Sequence, residues 1–334
     1  MLSRVVSVFL LLTLCLNASW VEYKARYIEA DGRVIDRMNS DITHSEGVGY
    51  AMYFALKNND IECFKKIHNW YKNNLAINKY NLIGWKWGRD KADRWHMLDT
   101  NNATDGDLWI AYDNLLAFEI TKDLRYKEEG VKLIKSIKQN LLLKNNNHLY
   151  LLPGKVGFED DESFEVNLSY YLFFVFDKFM QYDNTKIWQK LKQDGIALLY
   201  DSRFSTLKLN ANWIKIDKKS GKISLSRDNS FGFDALRIPY NILKSDIKNK
   251  ESLLLPYKRY VDAMRDAKVV FGVSELKSGN ISLYNYSYAQ LCIYGMIERY
   301  YYHKNSFEEE INRLKRQNKN DYYSYSIYLF TTID

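Results

Sequence analysis

The sequence predicts an all-α fold in which inner and outer helices alternate around a closed ring. Apolar residues recur at helical spacing in paired segments, and the inner member of each pair starts near residues 45, 105, 165, 233, 284 and 321, about fifty residues apart. Proline is scarce, 3 in 334 residues, as suits a helical chain. Three inner segments open on a carboxylate: Thr43-His44-Ser45-Glu46-Gly47, Ala103-Thr104-Asp105-Gly106-Asp107 and Ser230-Phe231-Gly232-Phe233-Asp234. A solenoid would satisfy the period too. The ring explains more, because its inner helices point the same way and their N-terminal ends meet on one face. Three acids far apart in sequence would then converge.

The elements follow in order. Met1-Leu2-Ser3-Arg4, an apolar run from Val5 to Leu16 and the small pair Ala18-Ser19 are organised as a secretory signal peptide over residues 1–19, with residues 20–334 as one domain. That implies a secreted or periplasmic location. Cys15 near the cut follows Leu14, where a lipoprotein signal would place a small residue. Residues 20–39 suggest one or two short helices, and 45–56 with 61–75 a helical hairpin. The long connection 76–103 carries Trp85, Trp87 and Trp95, which is a functional rather than a disordered composition. Further pairs are expected at 105–120 with 125–141, 165–180 with 184–200, 233–247 with 251–268, and 284–302 with 305–317. A last helix covers 321–332, and Lys222-Ile223-Ser224-Leu225 in the segment 201–231 suits a small hairpin.

Composition narrows the chemistry. Beyond the expected signal only Cys63 and Cys292 remain, which is no disulfide framework and no metal spacing, and whether they pair is left open. With 5 His, no His/Cys cluster and no Gly-rich phosphate loop, neither a metal nor any other cofactor is expected. The net charge of +7 comes from scattered Lys, a solvated surface rather than a nucleic-acid footprint. No later segment is apolar enough to insert in a membrane. Oligomeric state is left open, a monomer being the simplest expectation. The 27 Tyr and 8 Trp exceed the usual needs of a helical core, and rings that do not pack can line a groove. Carboxylates among rings suit carbohydrate: sugar faces stack on aromatic side chains, and glycosidic cleavage needs one protonated and one ionised carboxyl.

Ser45-Glu46-Gly47-Val48-Gly49-Tyr50-Ala51, Ala103-Thr104-Asp105-Gly106-Asp107-Leu108-Trp109-Ile110-Ala111 and Phe233-Asp234-Ala235-Leu236-Arg237-Ile238-Pro239-Tyr240 resemble, in that order, the three signature blocks of glycoside hydrolase family 8. Fainter likenesses at Asp31-Gly32-Arg33-Val34, Trp87-Gly88, Asn167-Leu168-Ser169-Tyr170, Asn212-Trp213 and Tyr322-Tyr323-Ser324 extend it over nearly the whole chain. The resemblance implies an (α/α)6 barrel that cleaves β-1,4-linked polysaccharides with inversion, here an endo-acting glucanase on cellulose-like chains. A chitosanase or xylanase of the same family is the alternative, as is a non-catalytic glycan-binding protein on the same barrel. It further implies Glu46 as general acid, Asp234 as the base that activates water, and Asp105 as the residue holding the sugar at the cleavage point. Arg237 would steady the base and Tyr170 would lie beside the water. The sequence departs from the family at Asp113-Asn114, where small then aliphatic residues are preferred, and at Leu168, where Pro is usual.

Each residue also has a plainer reading. Glu46 stands three positions after Thr43, as in a capping box. Asp105 and Asp107 lie about 200° apart on a helix, so only one faces the cleft. Asp105 is expected there, with Asp107 capping or pairing. Asp234 and Arg237 have ion-pair spacing, and a guanidinium would lower the carboxyl pKa and keep a base ionised. Trp87, Trp109, Trp213 and Tyr322 are the candidate sugar platforms, with Trp109, inside a helix, the one most easily core. His44 suits a cap.

Overall fold

In the computed structural model, residues 18–76, 79–283 and 285–333 are described. The expected signal peptide lies outside them up to residue 17; residues 18 and 19 already open the first helix, α1 (18–27). Eleven more helices follow. They are α2 (Ser45–Lys57), α3 (Ile61–Asn74), α4 (Thr104–Thr121), α5 (Leu124–Asn140), α6 (Phe173–Phe179), α7 (Thr185–Asp201), α8 (Ile238–Lys244), α9 (Lys250–Ala267), α10 (Tyr288–Tyr302), α11 (Glu308–Gln317) and α12 (Tyr322–Ile333).

Even-numbered helices form the inner ring. Each contacts the next, α2 to α4, α6, α8, α10 and α12, and α12 returns to α2, so the ring is closed and the fold is an (α/α)6 barrel. Outer helices α3, α5, α7, α9 and α11 each back the inner helix before them. Helix α1 backs the seam, with Tyr23 against Phe54 and Tyr322 at ring separations of 5.3 and 6.1 Å.

The connections are unequal, and local chemistry explains the short ones. Inner-to-outer turns are tight: Asn59 is left-handed and Asp60 caps α3 by accepting from the Cys63 amide, while Lys122 is left-handed and Asp123 caps α5. Outer-to-inner connections, apart from the four residues 318–321 between α11 and α12, are long and carry most of the β-structure, all at the N-terminal ends of the inner helices. One sheet joins Thr43–His44, Gly84–Arg89 and Trp95–Asn102; a second joins Ile223–Leu225, Ile214–Asp217 and Ser163–Val166; a third joins Ser230–Phe231, Phe271–Glu275 and Ile281–Leu283. The expected hairpin at 222–225 therefore exists, paired antiparallel with Ile214–Asp217.

Two inner helices are shorter than predicted. The segment 165–180 begins as strand Ser163–Val166 and a 3-10 turn at Leu168–Tyr170 before α6, and 233–247 begins with a 3-10 turn at Ala235–Arg237 before α8. Both irregular starts lie at the mouth. The barrel axis is filled by rings rather than aliphatic residues. Phe330 on α12 meets Tyr50 and Phe54 of α2, each at 4.7 Å, and Trp109 of α4 and Tyr240 of α8, each at 5.1 Å. Much of the aromatic surplus is thus core. Cys63 on α3 and Cys292 on α10 are buried and unpaired.

Candidate active site

The mouth is assembled from the first residues of neighbouring inner helices. At α2 the cap is His44, whose Nδ1 accepts from the Gly47 amide at 3.1 Å; Thr43 instead donates to the Val34 carbonyl at 2.6 Å. No capping box forms, and Glu46 is turned into the cleft. Two glycines bring α2 and α4 together. A Cβ on Gly106 would lie 2.2 Å from Ser45 Oγ, and one on Gly49 would lie 2.4 Å from Trp109 Cβ. That close approach places Asp105 beside Glu46.

Arg237, at the start of α8 and 7% exposed, joins the acids. Its Nη1 donates to Glu46 Oε1, to the Tyr50 hydroxyl at 2.9 Å and to Asp105 Oδ2 at 3.1 Å. Nη2 donates to Asp234 Oδ1 at 2.7 Å and to Ser169 Oγ at 3.0 Å. Tyr50 also donates to Glu46 Oε1 at 2.8 Å. One planar fork thereby touches three carboxyls, the farthest of them encoded 191 positions from it. Tyr170 lies 5.7 Å from the guanidinium, its hydroxyl bonded to Asp105.

The electrostatics differ from the sequence expectation. Burial pushes Asp234 up to about 6 despite its contact with Arg237, and the Trp213 indole is the group that most opposes this rise. At neutral pH it remains ionised. Burial and the neighbouring Asp234 raise Asp105 well above the usual carboxylate range. Asp107, pointing the other way, is fully buried; it accepts from the Ile83 amide at 2.8 Å and the Asn102 side chain at 2.7 Å, tying strand to helix. Its partners are an amide and an asparagine rather than a basic neighbour.

The Asn212-Trp213 pair serves the loop that carries Asp234. Asn212 Oδ1 accepts from the amides of Gly232 at 3.1 Å and Ala235 at 2.8 Å, and Trp213 Nε1 donates to Asp234 Oδ2 at 3.0 Å. The Trp213 ring is stacked on Phe158 at 5.8 Å and bonded to Asp234, beside the cleft rather than among its lining residues. The other expected platforms are displaced as well. Trp109 (2% exposed) and Tyr322 (1%) are core residues and offer no face to a sugar. Trp87 lies outside the cleft, edge-on to Trp70 at 5.2 Å.

Their neighbours take those places. The cleft, about 480 Å³, is lined by Glu46, Asp105, Tyr170, Asp234 and Arg237 together with Trp85, Lys86 and Tyr323. Trp85 and Tyr323 stand two and one positions from the residues chosen on sequence. A register irregularity at Gly84–Trp87 shifts the strand faces, and one step on a helix is a turn of about 100°. Among the departures from the family pattern, Asn114 Oδ1 accepts from Nε2 of buried His68 at 3.1 Å, between α4 and α3. Among the described residues no cluster of His, Cys, Asp and Glu has the arrangement of a metal site.

Comparison with known proteins agrees with the fold. The sequence profile described as "Glycosyl hydrolases family 8" matches residues 3–333. An endoglucanase of Salmonella typhi is 34% identical over 229 residues, covering 67% of this chain and 61% of that protein's length. An endoglucanase of Cellulomonas uda is 30% identical over 249 residues, covering 74% and 68%. The crystal structure of an endo-β-1,4-glucanase from an Achatina fulica gut metagenomic library superposes with a TM-score of 0.84 at 25% identity, over 94% of this chain and 95% of the other.

Proposed function

We propose, from the premise that this chain belongs to the family 8 glycosyl hydrolases, that it is an endo-acting β-1,4-glucanase hydrolysing cellulose-like chains with inversion. The observation that carries the proposal is the meeting of Glu46, Asp105 and Asp234 on the single guanidinium of Arg237 inside an open cleft. Glu46 would protonate the leaving glycosidic oxygen. Asp234 would take a proton from water as that water attacks the anomeric carbon from the opposite face. Its elevated pKa suits the task, since a general base works best near the pH of operation. Asp105, with Tyr170, would hold the sugar at the point of cleavage, and Trp85 and Tyr323 would supply the stacking faces.

Nη1 of Arg237 reaches the acid and Nη2 the base, so one guanidinium bridges the two carboxyls. The inverting arrangement requires the pair to stand about 6.5–9.5 Å apart, against about 5–5.5 Å for a retaining one. Nuclear magnetic resonance of the first product decides: the α-anomer is expected, and a β-anomer would overturn the inversion. The names of the relatives support glucan over chitosan or xylan. Release of reducing ends from carboxymethylcellulose, xylan and chitosan tests the substrate. Glu46→Gln is expected to lower the rate on the preferred polymer by at least about a hundredfold, the scale of a positioned proton donor. Equal rates for wild type and variant would remove Glu46 from the chemistry, and no release by either protein would favour a glycan-binding protein. Export from the cytoplasm is part of the same proposal, supported by the apolar run Val5 to Leu16. Among the described residues no helix is long and apolar enough to cross a membrane.

A further inference from the structure

The hairpin Gly84–Arg89 with Trp95–Asn102 walls the cleft, and its reverse side carries a second depression. That depression also measures about 480 Å³ and shares no lining residue with the catalytic cleft. Its floor is aromatic: Trp87 and Trp95 are stacked at 5.1 Å with 21° between their planes, and Trp70 of α3 meets Trp87 edge-on. Trp95 is 45% exposed, although a ring of that size usually hides from water. The rim is polar and hydrogen-bonding. Asn69 and Asn73 project from α3, and the Arg33 guanidinium lies 4.7 and 4.4 Å from the Trp87 and Trp95 rings.

We infer that this depression is an accessory binding site for a segment of β-1,4-linked glucan. The chemistry selects the ligand class. A floor of indoles, one of them nearly half exposed, with amides and a guanidinium beside it matches a pyranose, which is apolar on its faces and hydroxylated at its edge. An apolar peptide would leave the rim unpaired, and one guanidinium is too little charge for a polyanion. Adjacent strand residues serve the two sides: Trp85 and Lys86 line the cleft, Trp87 the reverse face. A polymer held behind the wall is held close to where it is cut. The sugar's identity rests on the glucanase reading; the site itself rests on the rings.

Affinity electrophoresis through gels containing hydroxyethylcellulose tests it, using full-length Glu46→Gln with and without Trp95→Ala. The cleft is identical in both proteins, so any difference belongs to the accessory site. The expected result is a rise of about fivefold to tenfold in the apparent Kd for the polymer with Trp95→Ala, the loss of one ring's stacking. In the active protein, Trp95→Ala should lower kcat/KM on polymer relative to that on cellotetraose by a similar factor, through KM. Asn73→Ala, on an exposed helix face, should weaken retention in the same direction if Trp95→Ala alters folding. Equal retention of the proteins, or no retention of either, overturns the inference. Failure of wild type to hydrolyse any β-1,4-glucan overturns the glucanase reading instead, and the gel result stands apart from it.

Discussion

At the scale of the residue, the side chain that sets the character of Asp234 is Trp213. Its N–H reaches Oδ2 and opposes the rise that burial imposes, leaving the carboxyl at about 6. A carboxyl with that value is ionised above it and protonated below it, so, with Asp234 as the proposed base, kcat/KM should fall as pH drops through about 6. Trp213→Phe keeps a ring against Phe158 and removes the donor. The folded pKa should then rise, and the acidic limb of the kcat/KM profile should move to higher pH. A limb that stays in place would detach Trp213 from the base. The acids were legible in sequence because each stands in a short block of glycines and polar residues at a helix start. This tryptophan's role was not, because a hydrogen bond between positions 213 and 234 leaves no local pattern.

At the scale of the element, the mouth depends on how closely α2 and α4 approach. Gly106→Ala would drive a methyl into Ser45, whose backbone carbon stands 2.8 Å from the added Cβ, so the helices themselves must part. A cost of about 1–3 kcal/mol is expected, seen as a lower melting temperature by circular dichroism. The rate should fall even well below the melting point, because Glu46 and Asp105 move apart. Helices were the most legible feature: periodicity placed α5, α7 and α9 within one residue of their observed ends. It failed at 165–172 and 233–237, where apolar residues continue but the backbone runs as strand and 3-10 turn to aim Ser169, Tyr170 and Arg237. Tertiary hydrogen bonds decide there, and a local pattern cannot report them.

At the scale of the whole molecule, the surplus of rings becomes a structural quantity. Phe330, 3% exposed, lies among rings of α2, α4 and α8, so it ties four inner helices across the axis. Phe330→Ala should cost about 3–5 kcal/mol, measurable as a lower urea midpoint. A loss below about 1 kcal/mol would mean the axis is held elsewhere. Counting aromatic residues could not separate rings that fill this axis from rings that face the cleft or its reverse side. Only the closure of the barrel sorts them.

That closure is made by elements from opposite ends of the sequence: the Tyr325 hydroxyl reaches the Ser19 carbonyl, and Ser326 meets Tyr23 across 303 positions. A nascent polypeptide therefore lacks, until α12 has been made, the cover that Tyr322 and Tyr325 give Tyr23 and that Phe330 gives Phe54. Sealing of the ring therefore waits on α12, whichever other helices have already paired.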